Sequence, residues 1–375
     1  MASKKKVCFQ VLDAYSLFNT TTNYPFGGAE YRAFTFLTEL KKLSFDVSAI
    51  VRNYGQHLQE NYNEIQVYAH PYHTSPEIAA PNYLRRLLSL KWSGKSYENY
   101  LKHNAYNIIN AGIYCAFEIT SATLLLADYC KKNKKQFYLF IASDGEVSYG
   151  KLMPTSKEII KQVIDSAEKI FVQNNTQLKN LKVIFGKEGI LIKNPIDLSR
   201  NESNPVKEYD FLWIGKSNII KRPELFTALA KQLSHYRFCM LMNVSDKRIH
   251  EEILKQKPGN LTVIEYLNLN ETEELLKKTK IFVSTSLLEG FPNTFLQAGK
   301  FKIPVISMLI NPDNFLTEHN CGLYIGDDLS KLTLASEQLI NDSSLYNLLS
   351  TNIYNYVLKN HEAGQITKTL AGHFA

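Results

Sequence analysis

The sequence predicts an α/β protein built from two Rossmann-like, doubly wound domains facing each other across a cleft. Three observations lead to this. A length of 375 residues exceeds what one ordinary hydrophobic core holds. Short apolar runs alternate with amphipathic stretches, the pattern of a parallel sheet covered by helices. That pattern restarts after one polar segment containing two prolines. With 45% hydrophobic and 21% charged residues, the balance excludes a disordered chain.

In chain order, the charged start MASKKK leads into VCFQVL (7 to 12), the first strand candidate, and Gln10 and Asp13 interrupt it before a signal peptide could form. NYPFGGAEYRAFTFLTELKKL (23 to 43) reads as a turn carrying Gly27 and Gly28, then a helix with Phe34, Leu37 and Leu40 on one stripe. Further strands are expected at DVSAIV (46 to 51), YNIINAG (106 to 112), QFYLFIAS (136 to 143) and KIFVQN (169 to 174). KNPIDLSRNESNPVKEYD (193 to 210) is the interdomain linker, and FLWIGK (211 to 216) opens the second domain. YRFCMLMN (236 to 243), LTVIEYL (261 to 267), KIFVSTS (280 to 286) and KIPVIS (302 to 307) continue it. Asn270 followed by Glu273 reads as a capping box ahead of ELLKK. The expected division is residues 1–196, residues 197–356, and a tail, 357–375, that packs back on the first domain.

Two such domains place a ligand in the cleft beyond the carboxyl ends of the strands. In IFVSTSLLEGFPNTFLQAG a strand should end near Ser286, and Pro292 suits the start of a helix at Asn293. The free N–H groups of that helix make an anion site. Gly290 lets the backbone approach a ligand, Glu289 supplies a carboxylate, and Asn293 and Gln297 share a helix face. The same residues also fit an ordinary strand-to-helix turn. In WIGKSNIIKRPELF (213 to 226), a strand ends at Gly215 with Lys216 following at its carboxyl end, while Lys221 and Arg222 precede a helix at Pro223. Charged hydrogen bonds from two such lysines to a diphosphate would contribute about 1.5–3 kcal/mol each. A solvated basic loop is the alternative.

Other chemistries find less support. The G-x-G-x-x-G fingerprint is missing, which disfavours a nicotinamide enzyme. No D-x-D or H-E-x-x-H motif occurs, and His70 and His73 fall in a Pro/Tyr-rich stretch that reads as a surface turn, so no metal is expected. The five scattered cysteines form no C-x-x-C pair and read as reduced, buried thiols. A net charge of +7 fits an anionic ligand or an acidic membrane but is too dispersed for nucleic acid. YLRRLLSLKWSGKSYENYLKH (83 to 103), with Arg85, Arg86 and Trp92, suits either an anionic membrane surface or a helix lying on the core. No run reaches the length of a membrane span. A cytoplasmic protein is expected, placed at the inner face of the cytoplasmic membrane if that stretch lies on lipid and free of it if the stretch lies on the core.

Together these residues resemble the retaining glycosyltransferases of family 4, which have the GT-B fold. The likeness rests on GGAE (27 to 30), KNPID (193 to 197), WIGKSNIIK (213 to 221) and EGFPNTFLQA (289 to 298). It implies metal-independent transfer of a sugar, with retention, from a nucleotide-diphosphate sugar to a glycan or lipid-linked acceptor, as in bacterial surface polysaccharide or lipopolysaccharide biosynthesis. The donor is a substrate, and no cofactor is implied. On that resemblance Lys216 and Lys221 stabilise the leaving diphosphate, Glu289 with the Gly290-Phe291 backbone holds the sugar, and Asn293 and Thr294 cap the phosphates. Gln297 meets the ribose, Tyr266 lies in the loop that accepts the base, and Gly28 closes over the donor from the other domain. The sequence departs from the family pattern in three places. Lys216 stands where an arginine is usual, Gln297 replaces a second glutamate, and Ser143-Asp144 takes the place of a histidine, leaving Asp144 or Glu146 to serve the acceptor or sugar side. Two alternatives stay open: a GT-B protein that binds a nucleotide sugar or glycan without turnover, and another GT-B enzyme such as an epimerase or phosphorylase.

Overall fold

The computed structural model describes residues 5–70, 104–150, 155–198 and 205–374. Among these residues the first half forms an eight-stranded sheet in the order β3-β4-β2-β1-β5-β6-β7-β8. Its strands are β1 (Lys6–Gln10), β2 (Asp46–Arg52), β3 (Gln59–Tyr62), β4 (Ile65–His70), β5 (Ile113–Ala116), β6 (Gln136–Phe140), β7 (Lys169–Val172) and β8 (Ile190–Leu191). All neighbours are parallel except the β3/β4 hairpin. The second half is a six-stranded parallel sheet, β11-β10-β9-β12-β13-β14. It comprises β9 (Tyr209–Lys216), β10 (Phe238–Asn243), β11 (Leu261–Ile264), β12 (Thr279–Ser284), β13 (Val305–Ser307) and β14 (Gly322–Tyr324).

Both sheets are apolar on both faces, as their near-continuous hydrophobic runs require. Phe9, Phe36, Phe117, Phe140 and Phe171 fill one face of the first sheet, and Tyr106, Tyr114 and Tyr129 belong to the cluster on the other. In the second, Leu212, Phe282 and Phe295 lie on one side and Trp213, Phe226 and Met240 on the other. All five cysteines are buried and free, which fits small apolar fillers of these cores.

Strand order reverses between β1 and β5 in the first sheet and between β9 and β12 in the second. At such points the connections diverge to opposite faces and leave a crevice beyond the strand tips. The two halves are joined where the outgoing chain meets the returning one. Ile196 pairs with Glu362, its N–H donating to the His361 carbonyl at 2.7 Å while Ala363 N–H donates to the Ile196 carbonyl at 3.0 Å. The last helix, Ala363–Phe374, then lies on the first domain, with Leu370 and Phe374 in that domain's core.

Several local expectations need correction. YNIINAG is not a strand: residues 104–109 are helical and the strand begins at Ile113. The capping box is Asn268 with Glu271, two residues earlier than expected. His70 is not in a surface turn; it ends β4, is buried, and approaches the Tyr106 hydroxyl at 3.4 Å. His73 and the basic, apolar stretch at 83–103 lie outside the described residues. Among the described residues no helix is long and apolar enough to cross a membrane.

Candidate active site

Four strand tips set the site: the chain after β1 carries Gly27 and Gly28, β9 ends in Lys216, and the turns after β5 and β12 carry Glu118 and Glu289. A cavity of about 330 Å³ opens between them. Gly28, Lys216, Lys221, Tyr266, Glu289, Asn293, Thr294 and Gln297 all line it.

The two loops of the second domain are stitched together locally. Asn218 Oδ1 accepts from the N–H groups of Ile220 and Lys221 at 3.1 and 2.9 Å, which fixes the turn after β9. Thr285, buried just past β12, donates its hydroxyl to the Lys221 carbonyl at 2.6 Å and accepts from Trp213 Nε1 at 2.9 Å. Leu287 N–H donates to the Ile220 carbonyl at 2.8 Å. Arg222, at φ 51° in the left-handed region, donates from Nε to the Thr285 carbonyl and pairs with Asp327. These bonds bring Lys221 against Glu289 in an ion pair.

Across the cleft, two helix amino termini face each other. The Gly28–Lys42 helix begins at the Gly27 cap, where Gly27 N–H donates to Glu30 Oε2 at 2.8 Å. The Asn293–Lys300 helix begins after Pro292 with no side chain among the described residues capping it. Asn293 Nδ2 donates to the Gly28 carbonyl at 2.7 Å and closes the cleft there. Tyr266 bridges the domains at the other end, its hydroxyl donating to the Thr22 carbonyl at 3.1 Å. Two positive helix ends and two lysines around one cavity make an environment for a multiply charged anion.

The Glu289–Pro292 loop is also held from the first domain. Asp144 N–H donates to the Glu289 carbonyl at 3.1 Å. Asn174 Nδ2 donates to the Gly290 carbonyl at 3.2 Å and Asn194 Nδ2 to the Phe291 carbonyl at 2.9 Å. Phe291 N–H donates to Gln173 Oε1 at 3.0 Å. The Gly290-Phe291 backbone, expected at a sugar, is thus tied to protein amides, and the close approach that needs Gly290 is to the first domain. A Cβ there would sit 2.8 Å from the Ala142 carbonyl oxygen.

The acceptor-side candidates divide. Asp144 lies off the main cavity in a neighbouring groove of about 530 Å³ that shares Glu289 with it. Its Oδ1 accepts from Asn174 and Gln177 at 3.0 and 2.9 Å, and burial raises its carboxyl above the ordinary value against the pull of those bonds. Glu146 is not available to a substrate. It is 3% exposed and accepts the N–H groups of Ile119, Ala142 and Ser143. Burial raises its carboxyl to about 6 despite those bonds. Ser143, where a histidine was the comparison, caps the same short turn.

Glu118 was missed by the sequence reading and lines the main cavity. Burial, then the nearby Glu30, Asp13 and Glu146, push its carboxyl up to about 8, opposed by Lys216. The only sequence signal was a carboxylate just past an apolar run, and the misplacement of β5 hid it. Among the described residues no cluster of three metal-ligating side chains occurs.

No curated protein matches the chain. The family model described as Glycosyl transferases group 1 matches residues 208–342. Solved structures resemble the chain along its whole length. Sucrose-phosphate synthase from Thermosynechococcus elongatus superposes with a TM-score of 0.76 at 13% identity, covering 99% of this chain and 98% of that one. HepE from Anabaena, in complex with UDP-glucose, gives 0.74 at 12% identity over 98% and 99%. TarM from S. aureus, in complex with fondaparinux, α-GlcNAc-glycerol and UDP, gives 0.70 at 12% over 98% and 99%. The chain therefore has the GT-B fold, and the part of it that carries Lys216, Lys221 and the Glu289–Gln297 segment matches the group 1 glycosyltransferase family.

Proposed function

We propose that this protein is a retaining glycosyltransferase that moves a hexosyl unit from a nucleotide-diphosphate sugar to a glycan or lipid-linked acceptor. The observation that carries the reading is the convergence of Lys216, Lys221 and two helix amino termini on one cavity that also presents Glu289. The sequence match over residues 208–342 and the nucleotide-sugar complex of a structural neighbour support it. In this reaction the bond from the anomeric carbon to the diphosphate oxygen breaks. The acceptor oxygen then bonds to that carbon on the same face, and the acceptor proton passes to the leaving phosphate oxygen.

Groups placed where charge develops stabilise the transition state more than the ground state. Lys216, Lys221 and the amino terminus of the Asn293–Lys300 helix serve that role toward the diphosphate. Protein cations rather than a metal carry the charge, so turnover should be insensitive to EDTA. Gln297 addresses the ribose and the Tyr266 loop the base. A role at the inner face of the cytoplasmic membrane in surface polysaccharide synthesis fits the lipopolysaccharide biosynthesis named for the neighbour WaaG. A protein that binds the donor without turning it over is the second reading. It is favoured by Ser143, which stands where the family resemblance places a histidine.

Thermal-shift and calorimetric panels of UDP, GDP, ADP and CMP sugars, followed by a donor-hydrolysis assay, test this. At least one nucleotide sugar should stabilise the protein and be hydrolysed slowly. Lys221→Ala should bind the diphosphate about 10- to 100-fold more weakly, the worth of one charged hydrogen bond, and lose most turnover, whereas Gln297→Glu keeps it. Binding without hydrolysis or transfer would move the conclusion to the second reading. Indifference to every nucleotide would overturn both.

A further inference from the structure

We propose that a small chamber walled by Arg32, beside the donor cavity, receives a carboxylate on the transferred sugar, so that the donor is a nucleoside-diphosphate uronate. The inference rests on the donor reading above and names the substrate class of that same site.

The chamber measures about 110 Å³ and shares Gly28, Ala142, Glu289 and Asn293 with the donor cavity. That places it where a sugar held against Glu289 would extend toward the first domain. Arg32 reaches its wall from the Gly28–Lys42 helix and is 2% exposed. Two of its nitrogens donate to carbonyls, Nη1 to Ile141 at 3.3 Å and Nη2 to Ile192 at 3.0 Å, and its plane lies over Phe140 at 5.3 Å. No carboxylate pairs with it among the described residues. Its Nε is buried without a hydrogen-bond partner among the described residues.

A full charge buried without a counter-charge is costly, and proteins ordinarily supply a partner. Burial alone lowers the Arg32 guanidinium to about 9, with no acidic group raising it, which agrees with the missing partner. What the wall offers a ligand is a buried cation without an acidic partner, which complements a sugar ring that carries a carboxylate. A neutral hydroxymethyl group would leave that cation without its counter-charge. Glu289, the other charged group of the wall, is already paired with Lys221, so it does not neutralise Arg32.

The test compares donors that share one nucleotide. Calorimetry on the full chain would measure UDP, UDP-glucose, UDP-galactose, UDP-glucuronate, UDP-galacturonate and the uncharged methyl ester of UDP-glucuronate, with GDP-mannose and GDP-mannuronate as a second base pair. A uronate should bind at least about 10-fold more tightly than its neutral hexose, the scale of one charge-assisted hydrogen bond. The methyl ester, alike in shape but uncharged, should bind like the hexose. In Arg32→Gln the uronate preference should vanish while the free nucleotide binds as before. Equal or tighter binding of the neutral hexose by the wild type would overturn the inference and leave the donor reading intact. A uronate preference that survives Arg32→Gln, or is shared by the methyl ester, would overturn it as well. Should Arg32→Gln fail to fold, the wild-type comparison of uronate, ester and hexose decides alone. Failure of every nucleotide, free or sugar-linked, would instead sink the donor reading.

Discussion

Glu118 sits at the tip of β5 facing Lys216, and its environment has a measurable consequence at the level of one titration. Its carboxyl is raised from an ordinary 4.5 to about 8, first by burial and then by Glu30, Asp13 and Glu146. The folded protein therefore holds a proton that the unfolded chain releases. Linkage fixes the sign: stability from this group is complete below about pH 4.5 and is lost as pH rises toward 8. Glu118→Gln removes the titration while keeping the shape. Melting curves should show the wild type falling behind Glu118→Gln across that window, with a constant gap on either side. A gap that does not change with pH would mean that Glu118 titrates normally. In the neutral form the Glu118 carboxyl is a hydrogen-bond donor to whatever occupies the cavity, which a carboxylate is not.

At the level of elements, the loop from Glu289 to Pro292 joins the two domains, and Gly290 is its tightest point. A Cβ at Gly290 would meet the Ala142 carbonyl oxygen at 2.8 Å and the amide nitrogens of Gln173 and Gln177 at 2.9 Å. The carbonyl belongs to backbone and cannot rotate aside. Gly290→Ala should therefore cost about 1–3 kcal/mol, the usual range for overpacking. It should also spread the domains at the loop. If the proposed donor site is right, free nucleotide is held mainly by the second domain, so its affinity should change little while turnover falls at least about 10-fold, a barrier increase of about 1.4 kcal/mol. Wild-type turnover in Gly290→Ala would refute the close contact. The same loop marks how far the sequence could be read. Its helix start was legible because Pro292 has a local cause, and the lysines were legible because they end a strand or precede a proline. The partners of Gly290 and Phe291 were not, since Gln173, Asn174 and Asn194 come from the other half of the chain. YNIINAG misled because a buried helical turn and a buried strand share an apolar run, and Glu118 went unseen with it. Two overlapping capping boxes compete at Asn268 and Asn270. Packing chose the first, since Glu273 is buried and bonded to Lys300 at 2.8 Å.

For the whole molecule, the relation between the domains depends on two chain crossings that lie side by side, and His361 is buried between them. A backbone carbonyl can only accept, so at 2.8 Å from the Asn194 carbonyl the His361 Nδ1 carries the proton. Its ring centroid lies 5.1 Å from that of Phe291, in the loop that carries Glu289. Burial lowers His361 from an ordinary 6.5 to about 3, opposed by its bond to Asn194. The unfolded chain takes up a proton near pH 6.5 that the folded protein refuses until about 3. The stability tied to neutral His361 is therefore complete above pH 6.5 and is lost as pH falls through that interval. His361→Gln can still donate to Asn194 but does not titrate. Between pH 6.5 and 3 the wild type should lose melting temperature more steeply than His361→Gln, other groups being common to both. Because the histidine lies at the crossings, acid should act on the domain arrangement before the sheets. The radius of gyration from small-angle scattering should rise in the wild type at a higher pH than that at which far-UV circular dichroism changes. Coincident transitions, or parallel pH profiles for the two proteins, would show that the domain junction does not depend on the charge of this residue.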